Sequence, residues 1–178
     1  IAEVLEKELN VKVEVGGVEA DMAIRGALTT PGSNKPLAII DMGAGSTDAA
    51  IINRAGEIHS IHLAGAGNMV TMLIGSELGF EDSGLAEDIK KYPLAKVESL
   101  FHIRHEDGTV QFFDEPLDPR SFARVVILTP SGMVPIPGNH SLERIRTVRR
   151  EAKTKVFVVN AIRSLAVSYT HLRAHETL

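Results

Sequence analysis

Between two apolar runs lies the stretch Asp41-Met42-Gly43-Ala44-Gly45-Ser46-Thr47-Asp48. Its residue types are those of a loop that holds phosphate. Gly43 and Gly45 let backbone N–H groups approach an anion with no Cβ in the way. Ser46 and Thr47 offer hydroxyls to phosphate oxygens. Asp41, at the end of a buried strand, is placed to orient a magnesium-bound water. The same letters also suit a glycine hairpin with a capping Asp, because short glycine motifs are common. Taken alone, the stretch leaves both readings open.

Other candidate chemistry is sparse. Seven histidines are present, but His59 and His62, like His102 and His105, lie three apart in strands and so point to opposite faces. His171 and His175 fall in the terminal stretch 167–178. Glu81-Asp82 sits in a polar loop, and no Ser-His-Asp order is convincing. The chain has no cysteine, which excludes disulfides, thiolate nucleophiles and a cysteine-held iron–sulfur cluster. That absence also fits a reducing cytoplasm. A formal charge of -4 carries no polybasic signature, so nucleic acid is not expected as the main partner. The run Arg144, Arg146, Arg149, Arg150, Lys153 and Lys155 has two readings, a solvated helix face or a face that docks to an acidic partner. No apolar run approaches the roughly 20 residues that span a bilayer, so no membrane partner is expected.

The elements that must position the loop follow from periodicity. A length of 178 residues fits one domain or two small lobes. "IAEVLEKELN" places Ile1, Val4, Leu5 and Leu9 on one helical stripe, and "VKVEV" alternates like a half-buried strand. "EADMAIRGAL" reads as a short helix. "LAII", "AAIIN" and "IHSIHL" are three strands of a β-meander whose first crossing is the glycine loop. "NMVTMLIGSELG" is a helix with Met69, Met72 and Leu73 expected in the core. A further helix, "SGLAEDIKKY", ends at Pro93. Beyond it, "LFHIRHEDGTVQFF" predicts a hairpin with Asp107-Gly108 as a two-residue turn. "PRSFARVVIL" is a helical turn feeding a strand, "SGMVPIPGN" is a proline-rich loop, and "SLERIRTVRREAKTKVFVVNAIRSL" is a long amphipathic helix capped by Ser141. The fold class is α/β.

Four pieces, in this order, resemble the ATPase superfamily of actin and the heat-shock chaperones. That superfamily writes its second phosphate loop as Asp-hydrophobic-Gly-Gly-Gly-Thr-x-Asp/Glu; here Ala44 replaces the middle glycine and Ser46 the first hydroxyl. "EADMAIRGA" resembles its Glu-Pro-x-Ala-Ala-Ala helix, with Ala20 in place of the proline. The resemblance puts Glu19 in the place of the acid that positions the attacking water; otherwise Glu19 is a solvated acid at a helix start. "HLAGAGNMVTMLI" resembles the third glycine turn, where Gly65 and Gly67 bring a helix N-terminus to the phosphates; the other reading is a plain helix entry. "AEDIKK" resembles the helix whose acid and lysine touch ribose and adenine, here Glu87 and Lys90; otherwise these form a surface ion pair.

The runs "GALTTPGSNKPLAIIDMGAGSTDAAIIN", "EDIKKYPLAKVESLFHIRHEDGTVQFF" and "PIPGN" narrow the resemblance to the large subunit of the diol and glycerol dehydratase-reactivating factors, up to about Ser164. That implies part of an actin-like (ribonuclease H-like) ATPase domain over 1–92, with its second phosphate loop at 41–48. It also implies a hairpin-containing insertion and a returning helix over 93–166. The implied cofactors are ATP or ADP with Mg2+, and the implied location is the cytoplasm. The implied activity is ATP-driven release of damaged cobalamin from inactivated adenosylcobalamin-dependent dehydratase, with a small reactivase subunit as partner. That family's first phosphate loop and adenosine-binding Gly-Gly turn are not found here, so the chain is expected to be an internal piece of a longer protein, inactive as an ATPase alone. The stretch 167–178, "VSYTHLRAHETL", breaks the preceding helical pattern, resembles translated adapter sequence and is expected to be non-native. Two rivals stand beside this reading: an actin-like polymerising module, and an activator ATPase of the 2-hydroxyacyl-CoA dehydratase type, which needs the cysteines this chain lacks.

Overall fold

The computed structural model describes residues 1–14, 16–17, 22–23, 26, 37–52 and 58–176. It divides into two compact units, Ile1–Ala64 with Ala161–Leu178, and Gly65–Asn160.

In the first unit, α1 (Ala2–Leu9) forms where the apolar stripe predicts it. Its stripe is not a core face, since Ile1, Val4, Leu5 and Leu9 are all exposed. Residues 11–14, expected in a strand, form none. The meander is present: β1 (Leu37–Met42), β2 (Ser46–Ile52) and β3 (Ile58–Ala64) pair antiparallel in the order β1-β2-β3. The first crossing is tighter than expected. Asp41 and Met42 complete β1, Ser46 to Asp48 open β2, and Gly43 N–H donates to Ser46 O at 3.0 Å across a three-residue connection.

Register fixes the two faces, because strand side chains alternate. Ile39, Ala50, Ile52 and Ile58 cluster on one face. Toward the loop the same face carries a transverse row, Asp41 opposite Asp48 and Asp48 opposite His62. Thr47, Ala49 and Ile51 alternate to the other face and are buried.

The second unit packs helices on a five-stranded antiparallel sheet of order β6-β5-β4-β7-β8. The strands are β4 (Leu94–Ser99), β5 (His102–His105), β6 (Val110–Phe112), β7 (Val125–Thr129) and β8 (Gly132–Pro135). The helices are α2 (Gly67–Leu78), α3 (Ser83–Lys91) and α4 (Leu142–Lys153). Val70 and Ile74 of α2, Ile89 of α3, and Ile145 and Val148 of α4 meet Leu94, Val125 and Ile127 of the sheet in the main core. Each such side chain contributes about 1.5–3 kcal/mol on burial. The opposite sheet face buries Val97, Ile103 and Val126 under Phe113 and Leu117.

The structure departs from five further expectations. Met69 and Met72 are not core: they are 47% and 72% exposed. The apolar stripe of α2 is instead Val70, Ile74 and Leu78, spaced four apart. The Asp107-Gly108 hairpin has a three-residue loop. Gly108 N–H donates to His105 O, His105 N–H donates to Thr109 O, and Gly108 takes φ 92°, a type I turn followed by a left-handed glycine. The proline-rich stretch contains β8, an edge strand, where a proline at the end removes no needed donor. The last helix is not uniform. Ser141 caps α4 by accepting from Arg144 N–H at 3.1 Å, but a π-helical turn at Thr154–Val158 separates α4 from α5 (Val159–Glu176). No break appears at Val167, because neither glycine nor proline interrupts 159–176.

Candidate functional site

The predicted residues fall on both units. In the first, Asp41 lies exposed near the end of β1, and no hydrogen bond or ion pair joins its carboxylate to another of the described residues. Asp48, directly opposite, is fully engaged. It accepts from Ser46 Oγ at 3.0 Å and meets His62 Nδ1 at 2.6 Å. The His62 contact, helped by the Ser46 hydroxyl, holds the Asp48 carboxyl below the usual aspartate range against the opposing effect of its partial burial. Thr47 is fully buried on the far face, so its hydroxyl does not share the face of Asp41 and Ser46.

Gly43, Ala44 and Gly45 sit exposed in the connection, and none has a left-handed backbone. A Cβ on Gly43 would lie 3.6 Å from Ser46 O, an ordinary contact, and one on Gly45 would meet nothing. The fold of this chain therefore does not require glycine at either place. Glu19 lies outside the described residues.

The second unit carries the other candidates. Gly65 requires glycine: at φ 93° a Cβ would also approach Met69 Cε to 3.1 Å. Asn160 Nδ2 donates to Gly65 O at 2.7 Å and fixes this turn. Ala66 precedes α2 with no side-chain cap, so the N-terminal turn at Gly67 keeps free N–H character.

From α3, Lys90 reaches back to that turn. Its ammonium donates to Gly67 O at 3.1 Å and to Thr71 Oγ1 at 2.9 Å, and pairs with Glu87 Oε2 at 2.6 Å. Because Thr71 Oγ1 accepts from Lys90, its single hydrogen goes to Glu87 Oε2, the shorter of its two contacts, at 2.5 Å. Lys91 takes the other Glu87 oxygen at 2.8 Å. These partners, Lys90 foremost, then Lys91 and Thr71, lower the Glu87 pKa to about 2. The two residues do share a face, as their spacing predicts, but they are more than a surface pair. They lock α3 to the first turn of α2, and all three ammonium hydrogens of Lys90 have partners inside the protein.

Sequence reasoning missed Thr71, Asn160 and the Asp48–His62 contact. Thr71 was legible as the residue one turn after Gly67. Asn160 was legible as a polar residue inside "VFVVNAI". The histidine contact required the β2–β3 register. Among the described residues no group of three or more potential ligands could hold a metal, and no helix is long and apolar enough to cross a membrane.

The chain is 64% identical over 165 residues to the propanediol dehydratase-reactivating factor large subunit of Salmonella typhimurium. It is 62% identical to the diol dehydratase-reactivating factor large subunit of Klebsiella michiganensis. In each case the match covers 93% of this chain and 27% of the relative, so the chain spans about a quarter of those proteins. Two solved structures are similar: a diol dehydratase-reactivating factor in nucleotide-free form, with TM-score 0.82 and 62% identity, and a glycerol dehydratase reactivase, with 0.83 and 63%. Each covers 92% of this chain, which covers 27% of each in turn. The profile of the diol dehydratase reactivase ATPase-like domain matches residues 1–175, and the chain belongs to that family.

Proposed function

We propose that this chain is the part of a dehydratase-reactivating factor large subunit that supplies one side of an actin-like nucleotide site. In that protein ATP binding and hydrolysis drive release of damaged cobalamin from inactivated diol or glycerol dehydratase, in the cytoplasm, together with a small subunit. The reading is supported by the names and identities of the relatives and by one structural observation above others. Asp41 stands exposed beside a connection whose two glycines the backbone does not need. Their remaining use is to admit something from outside the chain close to the backbone.

Mg2+ fits this row. Directly opposed carboxylates repel. His62 and Ser46 hydrogen-bond the Asp48 carboxylate, which leaves the Asp41 oxygens for a hard cation or its water. When bound, the ion would neutralise charge on the phosphates. The chain's own part would be positional: in the first unit the N–H groups of Ala44 and Gly45 would be offered to the anion, that of Gly43 donating to Ser46 O, and the Ser46 hydroxyl would reach it only on leaving Asp48; in the second unit the α2 N-terminus at Gly67 offers N–H groups of its own. Glu19 is assigned the attacking water on sequence pattern alone. Glu87, and Lys90 after exchanging a partner, are assigned the ribose and adenine. Phosphoryl transfer to water needs placement and charge stabilisation more than a strong nucleophile, which these groups can give. We assign 1–92 to the ATPase domain and 93–166 to an insertion with its returning helix.

The test is Asp41→Ala in the full-length large subunit. ATP hydrolysis and reactivation of glycerol-inactivated dehydratase should both be lost while assembly with the small subunit persists. Undiminished reactivation would remove Asp41 from the mechanism.

A further inference from the structure

The basic run on α4 is not used by the reading above. Four of its six cations, Arg146, Arg149, Arg150 and Lys153, line a groove of about 510 Å³ beside the β5–β6 turn, with Phe157 and Val158 at its far end. The lining runs along the helix from Glu143 to Val158, a length of about 20 Å. Arg144 pairs instead with Glu77, and Lys155 is not part of the lining.

The acids of this groove are already engaged. Glu106 pairs with Arg149, which also donates to Ile89 O and Tyr92 O. Glu143 accepts from Arg146 at 3.2 Å. Asp107 accepts from Thr109 N–H and Oγ1 within its own turn. The side chains of Arg150 and Lys153 have no hydrogen-bond or ion-pair partner among the described residues. Lys153 is half-buried, and that burial, followed by the charge of Arg149, holds its ammonium below the ordinary lysine range. Like charges stand four apart at 146 and 150 and again at 149 and 153; Glu143 and Glu106 answer Arg146 and Arg149, and no acid pairs with Arg150 or Lys153 among the described residues. At the end of α4 the π-helical turn shifts the helix phase and presents Val158, 48% exposed; such turns are frequent at functional sites.

We propose that this groove docks an acidic segment of a partner protein, its carboxylates against Arg150 and Lys153 and an apolar side chain against Phe157 and Val158. Charge complementarity selects an acidic occupant. The elongated shape and apolar end favour a peptide segment over a compact anion.

Three fluorescein-labelled peptides test this by anisotropy against the full-length large subunit: four glutamates followed by Leu-Phe, the same with glutamines, and the same with lysines. The acidic peptide should bind, the glutamine peptide should bind about tenfold more weakly, and the lysine peptide should not bind. Arg150→Glu with Lys153→Glu should weaken the acidic peptide about tenfold or more and leave ATP hydrolysis unchanged. Arg150→Gln with Lys153→Gln, which perturbs folding less, should weaken it in the same direction. Equal affinity for the acidic and glutamine peptides, or unchanged binding by both double variants, overturns the proposal. So does displacement by inorganic pyrophosphate at constant ionic strength, which would mark a small-anion site.

Discussion

Replacing Glu87 by glutamine keeps the side chain's length and planarity and removes only its charge. In the native protein its Oε2 accepts from Lys90 at 2.6 Å and from Thr71 at 2.5 Å. The Lys90 side chain is only 13% exposed and Glu87 29%. A fully exposed pair of this kind contributes about 0–1 kcal/mol, and breaking a fully buried one costs about 3–5 kcal/mol. This pair lies between those limits, so Glu87→Gln should cost about 2 kcal/mol. Nothing is added for Lys91, which is solvent-exposed. For a chain of this length that is a fall in Tm of about 4–8 °C, read by circular dichroism at neutral pH.

The same substitution carries a pH signature. The Glu87 pKa is lowered from 4.5 to about 2 in the folded protein. A carboxylate with a depressed folded pKa contributes its full stability above the unfolded value and loses it as pH falls through the folded one. The deficit of Glu87→Gln should therefore be constant above about pH 5 and shrink toward zero between 4.5 and 2. A deficit below about 0.5 kcal/mol at pH 7, which is the range of ordinary surface substitutions, would refute the lock. A deficit that does not change across the acid window would show that it has another cause.

Two substitutions probe α4 from its other contacts. Ser141→Ala removes the acceptor of Arg144 N–H and should cost about 1 kcal/mol by urea denaturation, while Ser141→Asp should retain most of the stability. Arg149→Met strips three contacts at once, to Ile89 O, Tyr92 O and Glu106, and leaves Glu106 with Leu94 N–H at 3.3 Å and, as its nearest cation, Arg146 at 4.0 Å. It should cost about 3 kcal/mol, and Arg149→Lys should recover only part of that, because lysine lacks the planar fork; an unchanged urea midpoint would contradict both.

The meander was legible because "LAII", "AAIIN" and "IHSIHL" are short apolar runs with turn residues between them. The cap at Ser141 was legible because a hydroxyl immediately before a periodic run has one common use. Met69 and Met72 misled because a methionine is apolar by composition, whereas the packed face of α2 is set by which turn meets the sheet. β8 was hidden because two prolines close together suggest a loop, and an edge strand needs donors on only one side. The π-helical turn left no mark in periodicity, since it shifts the pattern by a single residue in mid-helix.

The site divides along the same physical line. Contacts within one turn or one loop, such as Glu87 with Lys90, follow from spacing alone. Contacts between strands or helices depend on register, and register is a property of the whole sheet. Shifting β3 by one residue would replace His62 with its neighbour opposite Asp48 and turn the imidazole to the other face. Asp48 would then share its row with Asp41 and lose its imidazole partner. The motif letters would be unchanged, yet Asp48 would keep only Ser46 as a side-chain partner. The motif therefore sets which residue types stand at the turn, and the pairing of β2 with β3 decides that Asp48, and not Asp41, has the imidazole as its partner.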